Sequence, residues 1–438
     1  MNAVVVAVGI MLILSLLRIN VVLALVAGAI AGGLAGGLDV KTIIDAFSSG
    51  VGGGANIALS YALLGGFAVA LSYTGLPKWL VDNVLRVVSN STDSRGKALS
   101  KALIVFVILL IACFSQNLIP IHIAFIPILI PPLLYIMNEL QIDRRLIACV
   151  LTFGLTAPYI YLPVGFGQLF HQLLAENIEK SGLQVALEDI PHTLLIPVLG
   201  MVVGLLFAIF ITYRKPRKYN VATIAEESPG QVYTKWGVAF AIIAIIATVV
   251  VQVLSKSMIF GALTGIIVLY ASGSVKWKEA DSLLTQGMQM MAFIGFVMIA
   301  ASGFAEVVGQ TGDVESLVQA SANWIGDNKS LGALLMLIVG LLVTMGIGSS
   351  FSTIPIITTI FVPLCLQLGF SPLATISIVG TAAALGDAGS PASDSTLGPT
   401  AGLNADGQHN HIWDSCVPTF IHYNIPLVLF GWLAAMIL

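Results

Sequence analysis

The sequence predicts an all-α polytopic membrane protein made of two inverted repeats, each with a re-entrant helical hairpin and a broken transmembrane helix, with about 11 spans in all. Charged residues make up 9% of the 438 residues and hydrophobic residues 57%. A soluble chain carries about 25% charged residues, so this composition indicates a chain that lies mostly within a lipid bilayer. Similarity between the two halves and polar interruptions inside apolar runs supply the rest of the prediction. The net charge is −3 and basic tracts are lacking, so we expect no nucleic-acid partner.

The two halves align when the first is shifted by 237 positions. Gly50–Gly75 then lies on Gly287–Gly312 without a gap, and eight of the 26 positions are identical. Each half has an odd number of predicted spans, so the second half is inverted relative to the first. We therefore predict a first repeat at 1–213, a cytoplasmic linker at 214–235 and a second repeat at 236–438. The alternative is a chance match between two apolar, glycine-rich helices.

Four apolar runs are interrupted by polar residues, glycine or proline, two in each half. Ala98–Asn138 and Leu331–Gly369 are too long for one plain span and predict re-entrant hairpins of two half-helices. Leu146–Leu174 and Pro372–Leu397 predict single spans with a break, and in the first of these we expect freed carbonyls near Pro158. Interrupted segments in matching positions of two halves are typical of a transporter binding site.

The distribution of positive charge predicts the orientation in the membrane. Fifteen of the 19 Lys and Arg residues fall on one side of the predicted spans. They are Arg18, Lys78, Arg86, Arg95, Lys97, Lys101, Arg144, Arg145, Arg214, Lys215, Arg217, Lys218, Lys235, Lys276 and Lys278. The positive-inside rule makes this side cytoplasmic, which predicts a multi-pass protein of a bacterial cytoplasmic (inner) membrane with both termini outside. In this topology His409 and His411 fall in a cytoplasmic loop, where we expect solvated side chains.

The segment Gly386–Thr396 carries the clearest chemical signal. It places Asp387 and Asp394 among serines, glycines and a proline, between two apolar runs. Glycine and proline interrupt a helix and free backbone carbonyls, which survive at membrane depth only inside protein or beside a water-filled cavity. Carboxylates inside a membrane are costly and usually functional. The segment therefore predicts an ion or substrate site on a broken helix.

Oxygen-bearing side chains at the hairpin tips and breaks supply the remaining candidate ligands, because hydroxyl, amide and carbonyl oxygens suit a small hard cation. The candidate ligands of a coupling cation are Ser115, Asn117, Ser349, Ser352, Asp387, Asp394 and Ser395. The candidate substrate-binding residues are Asn117, Thr156, Ser350, Thr353, Asp387 and Ser390. Half-helices that begin after the tips would point their positive ends at an anionic group. The structural alternative is that these small residues merely allow close helix packing.

The motif Gly386-Asp387-x-x-Ser390-Pro391-x-Ser393-Asp394-Ser395-Thr396 resembles the signature of the NhaC-type sodium/proton antiporter family of the ion-transporter superfamily. The chain also looks like a branch of amino-acid, notably histidine, permeases. It departs from the antiporter pattern at two positions, with Ala388 in place of lysine and Ala392 in place of leucine. The resemblance implies a cation-coupled carrier, Na⁺ or H⁺ as the coupling ion and a homodimer.

The sequence thus predicts a secondary active transporter and not an enzyme, with no organic cofactor. Its partners would be the bilayer, a coupling cation and a small polar solute, for which we expect an amino acid. The alternative is a sodium/proton antiporter in which one aspartate alternates between Na⁺ and H⁺. An intramembrane aspartyl protease is disfavoured because both aspartates lie in one segment, and a passive channel because paired hairpins in inverted halves favour a carrier.

Overall fold

The computed structural model describes residues 2–17, 19–76, 79, 94–117, 122–220, 234–255, 257–313, 316, 328–347 and 350–438. These residues form helices and contain no β-strand, which confirms the predicted all-α class. The helices of the first half are α1 (Ala3–Leu16), α2 (Val21–Ala35), α3 (Val40–Tyr73), α4 (Ser94–Asn117), α5 (His122–Glu139), α6 (Arg144–Tyr161), α7 (Phe166–Lys180) and α8 (Asp189–Thr212). Those of the second half are α9 (Lys235–Ser255), α10 (Met258–Ala271), α11 (Ala280–Gln310), α12 (Lys329–Ile347), α13 (Ser350–Gln367), α14 (Pro372–Ala384), α15 (Asp394–Leu403) and α16 (His411–Ile437).

Polar side chains cap several helices where the sequence changes from polar to apolar. Asn2 accepts hydrogen bonds from the first turn of α1, Asp39 from that of α3 and Asp143 from that of α6. These caps give partners to N–H groups that a first turn leaves free, each worth about 1 kcal/mol. The beginning of each of these helices is therefore fixed by a local sequence signal.

The described helices are those of a multi-pass membrane protein. Six are long and apolar enough to cross a membrane, and the bent pair α6 and α7 raises the count to seven. Large apolar side chains such as Phe210 and Leu254 are exposed, as expected for groups that face lipid. The total of about 11 spans stays a prediction.

Helices α3 and α11 cross at glycines that the alignment of the halves relates to one another. A β-carbon added at Gly50 would lie 2.8 Å from Gly303 Cα, and one added at Gly65 would lie 2.4 Å from Gly287 O. Gly50 aligns with Gly287, and Gly66 aligns with Gly303. A β-carbon added at Gly287 would lie 2.3 Å from Gly66 N, which is the counterpart of the contact between Gly50 and Gly303. Such paired contacts are expected when two copies are related by a two-fold axis, and the inverted repeat stays a prediction.

We expect Gly287→Ala to lower the thermal unfolding midpoint of the purified protein in detergent. The new β-carbon would lie 2.3 Å from the carbonyl carbon of Gly65, a backbone atom that moves only if α3 moves. Overpacking of this kind costs about 1–3 kcal/mol. Gly309→Ala, on the same helix and with no atom within 4 Å, is the matched control. Equal midpoints for the two variants would contradict the close crossing.

The two predicted hairpin segments contain α4 and α5 in the first half and α12 and α13 in the second. Their predicted tips include residues 118–121 and 348–349, which lie outside the described residues, so the hairpins stay predictions. In the first broken span α6 and α7 meet at a 49° bend. Pro158 has no N–H, so the carbonyl one turn back, at Gly154, lacks its helical donor, and the role of freed carbonyls near Pro158 stays a prediction. The Pro158 carbonyl itself accepts a 2.7 Å hydrogen bond from Leu162 N. Helix α6 therefore continues to Tyr161, and the chain turns at Gly165, where φ is +59°.

The described start of the predicted linker is held against the ends of other helices. Arg217 Nη1 lies 2.9 Å from Asp414 Oδ1 and 3.8 Å from Asp143 Oδ1. The guanidinium carbon of Arg144 lies 4.3 Å from the centre of the Tyr219 ring, a cation–π contact. The stretch 214–220 therefore joins the two halves through specific contacts, while residues 221–233 lie outside the described residues.

A buried arginine joins the two broken spans at this end of the molecule. The Arg144 side chain is fully buried, and its Nη1 and Nη2 lie 2.6 and 2.5 Å from the two carboxylate oxygens of Asp406. Nη1 also donates to Leu403 O, and Nη2 to Asn138 Oδ1. Burial raises the pKa of Asp406, but the hydrogen bonds and the charge of Arg144 outweigh it and hold the pKa below its ordinary value. Arg144 begins α6 and Asp406 follows α15, so the pair fastens one half to the other.

Candidate functional site

The second broken span is interrupted as the sequence predicts. Helix α14 ends at Ala384 and α15 begins at Asp394, with Ser393 as its cap. Gly386 and Gly389 have φ values of +93° and +89°, in the left-handed region that favours glycine. All residues from 385 to 393 are buried. The break therefore lies inside the protein and not against lipid.

Asp387 lies at the centre of a polar cluster built from three separate segments. Its Oδ2 accepts a 2.7 Å hydrogen bond from Ser350 Oγ, at the first residue of α13. It also accepts a hydrogen bond from the hydroxyl of Tyr159, near the end of α6, and that hydroxyl lies 3.0 Å from Ser350 Oγ. The cluster joins the broken span of the first half to the hairpin and the broken span of the second. Only 8% of Asp387 is exposed.

The Tyr159 ring is fixed by aromatic neighbours from α7. Phe166 and Phe170 contact it edge-on, with ring centres 5.6 and 5.2 Å away. Edge-to-face packing holds an aromatic ring in one orientation, so the hydroxyl points steadily at the carboxylate. The prediction did not include Tyr159. The available signal was a tyrosine in an apolar run, since a buried hydroxyl requires a partner.

Side chains from α16 satisfy the freed backbone of the break. Asn424 Nδ2 donates to Ala388 O at 2.6 Å, and its Oδ1 accepts from Gly386 N at 3.2 Å. His411 Nε2 lies 2.9 Å from Pro391 O. Backbone polar groups at this depth need such partners because no bulk water reaches them. Neither Asn424 nor His411 was among the predicted site residues.

The expectation that His409 and His411 are solvated is wrong. Their exposed fractions are 3% and 9%. The loop 404–410 folds back onto the end of α15, where His409 N donates to Asn404 Oδ1. Both imidazoles therefore lie within the protein and take part in its hydrogen bonding.

The other predicted site residues lie in different surroundings, and their roles stay predictions. Ser390 Oγ lies 3.4 Å from Met345 O, and Thr353 is buried on α13. The hydroxyls of Ser115 and Thr156 donate to carbonyls of their own helices, Ala112 O and Thr152 O.

Asp394 and Ser395 lie in the first turn of α15, where Ser395 Oγ is 3.5 Å from Asp394 Oδ1. Asp394 is half-buried. A carboxylate in a first turn is favoured by the positive end of the helix. Ser349 and the side chains of Asn117 and Ser352 lie outside the described residues.

The donor set around the break suits a small hard cation. A buried carboxylate, hydroxyl oxygens and backbone carbonyls lie close together in space around the break. Such oxygens are the ligands that hard cations take in proteins. Asp387 Oδ1 and the oxygen of Ser350 would be the groups to hold the ion here. A carboxylate of this kind can also take a proton, so the same position can serve Na⁺ or H⁺.

Comparison with known proteins agrees with this chemistry. A family model described as the Na⁺/H⁺ antiporter family matches residues 150–432, and a second, the Na⁺-H⁺ antiporter family, matches residues 2–88. The chain is 64% identical over 446 residues to the putative amino acid transporter YuiF of Bacillus subtilis, covering 100% of both chains. It is 56% identical over 442 residues to an uncharacterized membrane protein of Vibrio parahaemolyticus, again covering 100% of both.

Among solved structures, the YdaH transporter of Alcanivorax borkumensis aligns with a TM-score of 0.44 at 15% identity, covering 91% of this chain and 89% of that one. The sequence matches are far stronger, and the first family model spans the second broken helix with its two aspartates. The chain belongs to the Na⁺/H⁺ antiporter family of cation-coupled transporters.

Proposed function

We propose that the protein is a secondary active transporter that uses a Na⁺ or H⁺ gradient to move a small polar solute, an amino acid, by alternating access. The observation that carries the proposal is the buried Asp387 carboxylate, which Tyr159 and Ser350 contact at a break between two helices. A buried carboxylate must bind a cation or a proton to avoid an uncompensated charge. Movement of that cation with the solute would couple the two.

The choice of an amino acid rests on the relative at 64% identity, which is named a putative amino acid transporter. An α-amino acid carries an ammonium group, which Asp387 can accept, and a carboxylate, which the N-terminus of α13 beside Ser350 can attract. The two charges of the solute would therefore meet opposite charges at the same site.

The rival function is Na⁺/H⁺ exchange without an organic solute, and the description of the family model favours it. In that case Asp387 or Asp394 would alternate between Na⁺ and H⁺. Both functions use the same carboxylates, so site geometry alone does not separate them.

A reconstitution experiment separates the two functions. Proteoliposomes that enclose a pH-sensitive dye are given an inward Na⁺ gradient, or an inward H⁺ gradient, with and without a mixture of radiolabelled amino acids. We expect gradient-driven accumulation of one labelled amino acid, absent from protein-free liposomes and abolished when an ionophore dissipates the gradient. Na⁺-driven pH changes with no accumulation of any amino acid would establish the rival instead.

The proposed setting is a bacterial inner membrane, with both termini outside, two inverted repeats at 1–213 and 236–438, and a homodimer. The contacts that each terminus makes with segments predicted to lie outside support this orientation. Ala3 N donates to Asp313 Oδ2 near the end of α11, and Ser371 Oγ donates to the C-terminal residue Leu438. Lys329 and Gly369 contact each other on that same predicted outer side. Arg144 and Arg217 both lie against the Tyr219 ring, on the opposite, predicted cytoplasmic side.

A further inference from the structure

A chain of buried polar side chains leads from the loop after α15 to the break that contains the candidate site. His409 Nε2 lies 2.8 Å from Ser415 Oγ, and Ser415 Oγ lies 2.8 Å from Thr400 Oγ1. Thr400 Oγ1 lies 2.8 Å from His411 Nδ1, and His411 Nε2 lies 2.9 Å from Pro391 O. The proposed transport function gives no role to any of these four side chains, although each is at least nine-tenths buried.

The chemistry of the two ends fixes where the hydrogen on His411 lies. Pro391 O can only accept, so His411 Nε2 must carry the hydrogen. In a neutral imidazole Nδ1 is then an acceptor, and the Thr400 hydroxyl lies 2.8 Å from it and also 2.8 Å from Thr396 O. Its one hydrogen can be donated to either acceptor. Pro391 O thus sets the tautomer of His411, and donation from Thr400 to Nδ1 stabilises it.

Ser415 and His409, the other two side chains of this hydrogen-bonded series, are compatible with this arrangement. A hydroxyl hydrogen rotates freely, so Ser415 can donate to Thr400 while Thr400 donates to His411, and His409 Nε2 can donate to Ser415. Burial lowers the pKa of His409, while the nearby Asp414 carboxylate opposes the shift. A neutral His409 with its hydrogen on Nε2 completes a chain in which each donor points toward the break.

Pro391 is a sensitive point of that break. It lies between Asp387 and Asp394, in the turn that precedes α15. Ser390 O accepts hydrogen bonds from Thr396 Oγ1 at 2.6 Å and from Ser393 N at 3.4 Å, and Ser390 Oγ accepts from Ala392 N. His411 is the side chain that holds Pro391 O, so the orientation of this peptide group depends in part on the imidazole.

We propose that His411 is a positioning residue for the cation site: with its hydrogen on Nε2, a tautomer that donation from Thr400 to Nδ1 stabilises, it holds the Pro391 carbonyl and so helps to set the backbone between Asp387 and Asp394. The proposal rests on the proposed function, because it assumes that these aspartates bind the coupling cation. It assigns a role in cation binding to a residue of α16 that lies outside the family motif. His411 itself does not touch the cation.

Binding of radioactive Na⁺ to the purified full-length protein tests the proposal. The variants are His411→Leu, Thr400→Val and Thr400→Ser. We expect the first two to raise the half-saturating Na⁺ concentration about tenfold or more, because a buried carbonyl or imidazole nitrogen loses its partner. Thr400→Ser keeps the hydroxyl and is expected to stay within about twofold of wild type. Thr193→Val, at a buried hydroxyl that donates only to Asp189 O of its own helix turn, controls for the loss of a threonine hydroxyl.

Nitrogen NMR of histidine-labelled protein gives a second readout that a merely structural role would not move. We expect His411 in wild type and in Thr400→Ser to carry its hydrogen on Nε2, and Thr400→Val to shift this population toward the other tautomer. Wild-type Na⁺ affinity in both Thr400→Val and His411→Leu would overturn the proposal. If wild type itself binds no Na⁺, the sodium form of the proposed function fails, and the NMR result still decides: a hydrogen on Nδ1 in wild type would overturn the positioning role.

Discussion

Asp387→Asn is expected to abolish gradient-driven transport while leaving the protein folded. Asparagine keeps the size of the side chain and can still accept hydrogen bonds from Tyr159 and Ser350 through its Oδ1. It cannot supply the negative charge that a cation needs in a buried position. Loss of one partner from a buried charge pair costs about 3–5 kcal/mol, which corresponds to more than about a hundredfold in cation affinity.

The measurement is accumulation of the labelled amino acid, or Na⁺-driven pH change, in the same proteoliposomes that define the wild-type activity. Asp281→Asn, at an exposed carboxylate in the first turn of α11, is the matched control and should transport like wild type. The thermal unfolding midpoint of each variant separates loss of transport from loss of folding. A folded Asp387→Asn protein that retains coupled transport would remove this carboxylate from the mechanism.

The central part of the site could be predicted because its signal is local. Glycine and proline between Gly386 and Thr396 forbid a regular helix, and a carboxylate among them is too costly to lie there without a function. The left-handed φ angles at Gly386 and Gly389 and the burial of Asp387 agree with that reasoning. The class of the fold followed from composition for the same reason, since long apolar runs have few alternatives to helices in a membrane.

The partners of Asp387 could not be predicted because they are set by packing across the chain. Tyr159 is 228 residues away and Ser350 is 37 residues away, and no local pattern says which hydroxyl will reach the carboxylate. The two loop histidines failed for a related reason. A short polar segment suggests solvent, but the loop 404–410 packs back on α15 and buries His409, and His411 is the buried first residue of α16. Position in a loop is thus a weak guide to burial when a residue of the loop, here Asp406, forms an ion pair with a buried side chain, here Arg144.

Because of the ion pair between Arg144 and Asp406, Arg144→Met is the substitution with the largest expected effect on stability. Arg144 is fully buried and donates to both carboxylate oxygens of Asp406, so its removal leaves a buried carboxylate without its charge partner. Breaking a buried pair on one side costs about 3–5 kcal/mol. Lys276→Met is the control. The Lys276 side chain is 81% exposed and pairs with Glu279, which is 42% exposed, so the loss of this surface pair should cost less than about 1 kcal/mol.

The effect of pH on wild type follows from the same ion pair. Because Arg144 holds the pKa of Asp406 below its ordinary value, the pair contributes stability above the ordinary carboxylate pKa and loses it as the pH falls through the lowered value. In Arg144→Met this part of the pH dependence should vanish.

The double variant Arg144→Met/Asp406→Leu tests whether the stability cost comes from the unpaired charge or from lost packing. Replacing both members of a buried ion pair with apolar groups of similar volume is often neutral or stabilising, so we expect the double variant to unfold at a higher temperature than Arg144→Met alone. Thermal unfolding in detergent across the acid range measures both effects. If the double variant is no more stable than the single one, the hydrogen bonds of Arg144 to Leu403 O and Asn138 would account for the stability. The junction would then be held by the arginine as a donor to both halves, and not by its charge pairing with Asp406.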